Sequence, residues 1–367
     1  MSERPIEVLA VCHALRDNLN VYRPEAAQIA GVHNSARANV TVLCNPGAVT
    51  IPYFKQQGMQ VLIAPLDKKL SVKTIAKIRT ELQQGSYDIL HLFNNTAISN
   101  GAFAALFTPV KVVAYRGQTG NTSRWNPFSY LSILHPRIDM VIGVANAVTN
   151  YVRSQQWGRD KAATVYKGHD LAWYQGSPAN LSSLRLPNDA VIVSLVADIR
   201  PRKGLHVLIA ATHHFAPNSN LHILLVGAEP DDTRVRAEIA KAADPSRIHA
   251  LGYRKDAPEV SAASDLIVLP TTKREGLSRA ILEAMSYARP AVVTDTGGNA
   301  ELVADEESGL VVPPNDPLAL AQALNQLAQD ASQREIFGNA ARQRVEQKFS
   351  VAQGVEQTLA IYEKLLR

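Results

Sequence analysis

Short apolar runs recur along this chain, each bounded by polar or helix-patterned residues. In the first half they fall at Glu7–Cys12, Val40–Cys44, Val61–Ala64, Asp88–Phe93, Val110–Ala114, Met140–Val144 and Ala163–Tyr166. Runs of this length, rich in aliphatic residues, predict strands buried on both faces. Between them the period changes. In Ser71–Leu82 the apolar residues Val72, Ile75, Ile78 and Leu82 form one helical stripe. The pattern restarts at Ala190–Ala197 and continues with Leu221–Val226, Ile248–Leu251, Leu266–Leu269, Ala291–Thr294 and Leu310–Val312. Three helical patterns close the chain, over 317–329, 333–348 and 351–366. Such alternation predicts parallel sheets covered by helices.

The break is at residues 177–189, SPANLSSLRLPND, rich in Ser, Pro and Asn and poor in periodicity. It predicts a linker between an N-terminal domain, 1–176, and a C-terminal domain, 190–348. The fold class expected is α/β, with two doubly wound Rossmann-like domains facing across a ligand-binding cleft.

Composition narrows this picture. The 367 residues are 46% apolar and 19% charged, a globular profile of more than one domain. No apolar run reaches the roughly 18 residues of a membrane span, and the N-terminus lacks the marks of a signal peptide. Cys12 and Cys44 are too few for a disulfide framework or a zinc site, so a reducing cytoplasm is expected. The charge is uneven. Residues 1–175 hold 18 Lys and Arg against 10 Asp and Glu, a net of +8, and the remainder nets −3. The plain reading is solvated surface. The sharper one is an anionic acceptor or an anionic membrane, met peripherally on its inner face.

The richest candidate chemistry lies in 265–295, DLIVLPTTKREGLSRAILEAMSYARPAVVTD. It predicts a strand, a polar loop, a helix and a second strand, with the loop beyond a strand's carboxyl end, where such sheets bind ligands. Ser278 is placed to cap the helix, and amides around Gly276, Leu277 and Ser278 would face an anion. Glu275 lies before the helix and Glu283 within it. Either could accept from hydroxyls, or Glu283 could simply pair with Arg279. A second basic stretch, Asp198-Ile199-Arg200-Pro201-Arg202-Lys203-Gly204, follows a strand and suits a phosphate. In the first half His91 and Tyr115-Arg116-Gly117 lie near strand ends, with Asn18–Glu25 and Lys167-Gly168-His169-Asp170 at other edges. Walker, dinucleotide, hydrolase-elbow and zinc-protease motifs are absent, and nothing proposes a metal.

The run EGLSRAILEAMSYARPAVVTDTGGNAELV resembles the donor signature of retaining glycosyltransferases of family 4, with its Glu275-x7-Glu283 pair, Gly297-Gly298 and Glu301. RPRKGLHVLIAA and LGYRKDAPEVSAASDLIVLP resemble flanking stretches of the same family. The resemblance is dense over about 190–315. It implies the GT-B fold, a nucleotide-sugar donor (UDP favoured) in the second domain and a glycan, glycolipid or lipopolysaccharide-type acceptor in the first. It also implies that helix 351–367 packs back on the first domain. Glu275 would hold the donor sugar, Glu283 the ribose, and Lys203 with Arg200 or Arg202 the diphosphate. Amides at Leu277 and Ser278 would assist, and Gly252, Tyr253 and Arg254 would flank the base. No metal or other cofactor is implied. Three departures stand out. Ala197-Asp198 replaces the usual Gly-Arg, Asn18–Tyr22 replaces a Gly-Gly loop, and Tyr115-Arg116 stands where many members carry His. That leaves His91 and Arg116 as the first-domain catalytic candidates. The alternatives are an epimerase or phosphorylase of the same fold, or a non-catalytic sugar-nucleotide-binding subunit.

Overall fold

The structure, a computed structural model, describes residues 4–14, 18–156 and 161–367. The chain divides into two compact units. One runs to Gly168 and takes back Phe349–Arg367; the other is His169–Lys348.

Among the described residues the first unit is built on seven strands: β1 (Ile6–Cys12), β2 (Ala38–Cys44), β3 (Val61–Ile63), β4 (Ile89–Leu92), β5 (Lys111–Arg116), β6 (Met140–Gly143) and β7 (Ala162–Thr164). All pair in parallel in the order β3-β2-β1-β4-β5-β6-β7. Alternating side chains divide its core. Val8, Ala10, Val40 and Val42 meet the helices Leu19–Asn34 and Val351–Leu366 on one face. Leu9, Val11, Leu90 and Leu92 meet helices Val72–Gln84, Asn95–Ala104 and Asn146–Gln155 on the other. The closing helix is pinned by Gln28 Nε2, which donates to Thr358 Oγ1 at 2.8 Å.

The second unit has six strands: β8 (Val191–Val196), β9 (Leu221–Val226), β10 (Ile248–Gly252), β11 (Leu266–Leu269), β12 (Ala291–Thr294) and β13 (Gly309–Val312). They too are parallel, in the order β10-β9-β8-β11-β12-β13. The chain direction across the sheet reverses between β8 and β11, which opens a crevice beyond their carboxyl ends. The stretch 177–189 differs from the linker its composition suggests. Ala179, Leu181 and Leu184 pack against Leu224, Val226 and Val260, and Ala179 N donates to the Glu259 carbonyl at 2.9 Å. Apolar residues at alternate or third positions make it a covering strap of the second unit.

Candidate active site in the second unit

Two loops meet at the crevice. After β8 the chain enters a 3-10 turn, Pro201–Lys203, that ends on Gly204 at φ +79°. A β-carbon there would lie 1.8 Å from the Pro270 carbonyl oxygen, so only glycine lets the basic turn press on the end of β11. Thr272 N donates to the Arg202 carbonyl at 2.8 Å, and Arg202 Nη1 to the Arg274 carbonyl at 3.1 Å. On the far side Gly297, at φ +62°, would set a β-carbon 2.1 Å from the Glu275 carbonyl oxygen, while Gly298 N donates to Gly276 O at 2.9 Å. The loop carrying Glu275 is therefore clamped from both sides.

Within that clamp Lys203 Nζ donates to Glu275 Oε2 at 2.7 Å, the two side chains only 15% and 9% exposed. Thr271 Oγ1 donates to the same oxygen at 3.0 Å, and Thr294 Oγ1 ties down the Thr271 carbonyl. Ser278 sits at the N-cap of helix Arg279–Ser286 without a side-chain cap bond, so its hydroxyl does not occupy the helix start. Glu283 lies in this helix with Arg279 Nε 3.1 Å from its carboxylate. Burial pushes the Glu283 carboxyl up to about 7, against the pull of Arg279 and with a further push from Glu259.

A third loop stands at the end of β10. Gly252 is at φ +65°, its amide donates to the Ala228 carbonyl at 2.8 Å, and Glu229 Oε1 accepts from Tyr253 N at 2.9 Å. The Tyr253 ring is 61% exposed, and Arg254 is paired with Asp256 at 2.6 Å. Arg200 reaches Asp198 at 3.0 Å, both largely exposed. The structure thus gathers Lys203, Arg202, Glu275, Gly276 and Ser278. The sequence reading missed Thr271, Thr272, Thr294 and Glu229. Such polar residues holding other residues carry no period or motif; the strained glycines beside them were the available signal.

Two first-unit candidates are buried. His91 lies under the closing helix rather than open at a strand end. It is 1% exposed, its Nδ1 2.6 Å from the Tyr362 hydroxyl of the closing helix, and its ring is stacked on Phe93. Burial lowers it to about 3, so the imidazole is neutral. Arg116 does not present itself to an anionic acceptor. It is 6% exposed and spends its donors on its own loop, the carbonyls of Gln118 and Gly120, with Asn95 Oδ1 at 3.5 Å.

Residues 177–344 match the family of glycosyl transferases group 1. The group 1 region coincides closely with the second unit and contains every residue of the clamp. The chain is 35% identical over 225 residues to an alpha-maltose-1-phosphate synthase of Mycolicibacterium smegmatis, covering 56% of this chain and 57% of that one. It is 26% identical over 330 residues to that organism's phosphatidyl-myo-inositol mannosyltransferase, covering 87% and 83%. The chain thus spans little more than half the length of the mycobacterial synthases it matches. Among solved structures, a glycosyltransferase from Rickettsia africae superposes with a TM-score of 0.80 at 19% identity, over 99% of both chains. An Anabaena protein in complex with UDP gives 0.79 at 21% identity, over 98% of this chain and 100% of that one. The fold is GT-B. No described helix is long and apolar enough to cross a membrane.

Proposed function

We propose that this chain is a retaining glycosyltransferase that moves a sugar from a UDP-sugar held by the second unit to a glycan, lipid-linked or lipopolysaccharide-type acceptor held by the first. The observation that carries the reading is the buried Lys203–Glu275 pair at the β8–β11 crevice, inside the group 1 region. UDP is favoured because structural neighbours were crystallised with UDP and UDP-glucose.

The ammonium of Lys203 has three donors. One holds Glu275, and the others are available for the diphosphate oxygens, with Arg202 or Arg200 beside it. Glu275, fixed by Lys203 and Thr271, accepts from hydroxyls of the donor sugar; Glu283 accepts from the ribose. As the anomeric carbon–phosphate oxygen bond breaks, negative charge grows on the diphosphate. Fixed cations and helix-start amides stabilise that charge more in the transition state than in the ground state. The acceptor oxygen bonds to the anomeric carbon on the face the phosphate leaves, and its proton passes to the departing phosphate oxygen. The reading calls for neither a protein nucleophile nor a metal, so turnover is expected to survive chelation by EDTA.

The test is a panel of nucleotide sugars. At 100 times its dissociation constant a true donor adds about 2.7 kcal/mol of stability. UDP should be released only when acceptor is present, and Glu275→Ala should keep nucleotide binding while losing turnover. Unchanged turnover in that variant would remove the proposed site.

A further inference from the structure

The first unit carries an exposed surface to which the sugar-transfer reading assigns no residue. Between Asp88 and Asp139 fifty residues pass without one carboxylate; of the cations among them Arg124 is exposed, whereas Arg116 is buried and Arg137 is paired with Asp139. Within this stretch Arg124, Trp125, Asn126, Pro127 and Phe128 are all exposed, Trp125 to 83% and Phe128 to 75%.

The exposure is built, because the turn is internally bonded. Asn126 Oδ1 accepts from Phe128 N at 3.0 Å and caps the 3-10 turn Pro127–Leu131. Ser123 N donates to Ser129 Oγ at 3.1 Å, and Tyr130 Oη donates to the Arg124 carbonyl at 3.1 Å. Ile133 and Leu134 then plunge into the core. Phe107, 99% exposed and at φ +64°, stands on the loop before β5. Arg137 donates to the carbonyls of Ala105 and Thr108 on either side of it.

Rings this exposed do not line a groove, so the surface is no socket for a partner's side chain. A tryptophan and a phenylalanine on a rigid turn, beside an arginine and without local carboxylates, suit the headgroup level of a bilayer. There rings enter the acyl boundary and cations meet lipid phosphates. We propose that the turn 124–131 docks the first unit on an anionic lipid bilayer. This rests on charge and exposure alone and stands apart from the sugar-transfer reading.

The test is flotation with vesicles of equal parts phosphatidylglycerol and phosphatidylcholine. Capture at low salt, its loss at high salt and a blue shift of tryptophan emission are expected. The double variant Trp125→Ala with Phe128→Ala should lower the captured fraction at least about tenfold with an unchanged melting curve. Arg124→Glu keeps both rings and should also weaken capture, so the proposal stays testable if the double variant folds poorly. No capture of the native chain, equal capture by pure phosphatidylcholine, or undiminished capture of both variants would overturn it. So would retention on immobilised polyglutamate without vesicle capture, which assigns the surface to an acidic protein.

Discussion

The Lys203–Glu275 pair decides most at the scale of single residues. Both side chains are nearly out of water, so removing one partner strands a buried charge. Lys203→Met is expected to cost about 3–5 kcal/mol in urea unfolding, besides weakening donor binding. Glu283 gives a pH signature. Its folded carboxyl titrates near 7, above its ordinary 4.5. Its contribution to stability is therefore full at low pH and is lost as pH rises through about 7. Because the proposed ribose contact uses the carboxylate as acceptor, donor affinity should fall as pH drops below about 7, and Glu283→Gln should flatten both curves. His91 has the opposite sign. Held near 3 against an ordinary 6.5, it supports the fold above 6.5 and costs stability as pH falls toward 3. Glu275 and Glu283 stood out in the sequence through the family resemblance, while spacing alone left Glu283 open to the pairing with Arg279 that the structure shows. The burial of His91 was missed although its parity was available: it shares a strand face with Ile89 and Phe93, which pack under the closing helix. Position near a strand end says nothing about which face a side chain takes.

At the scale of elements, the strands were readable because each is a compact apolar run that two layers of helix must cover. The strap 177–189 was not, since three apolar residues among Ser, Pro and Asn look like a linker until their partners are known. Nor does a basic turn announce how closely it abuts its neighbour. Gly204 makes that approach, so Gly204→Ala should cost about 1–3 kcal/mol and loosen Lys203 from Glu275. The measurement is unfolding in parallel with nucleotide affinity, and an unchanged affinity would mean that the turn does not position the lysine. The Gly297 position should behave alike, its β-carbon striking the Glu275 carbonyl.

At the scale of the molecule, the two units share a parallel α/β plan, and the first is assembled from both ends of the described chain. The helix Val351–Leu366 supplies Val355, Leu359, Ile361 and Tyr362 to its core, and Gly31 leaves room where a β-carbon would sit 2.5 Å from Val355. Tyr362→Ala is expected to cost about 3–5 kcal/mol by urea unfolding, whereas Tyr253→Ala, on an exposed ring, should stay within about 0.5 kcal/mol. This connectivity also orders events at the ribosome. Residues up to Gly168 are made before His169–Lys348, and until the closing helix follows only Leu19–Asn34 covers the sheet face that the two helices share. Through that interval the part of the face reserved for Val351–Leu366 is what a nascent-chain chaperone would meet.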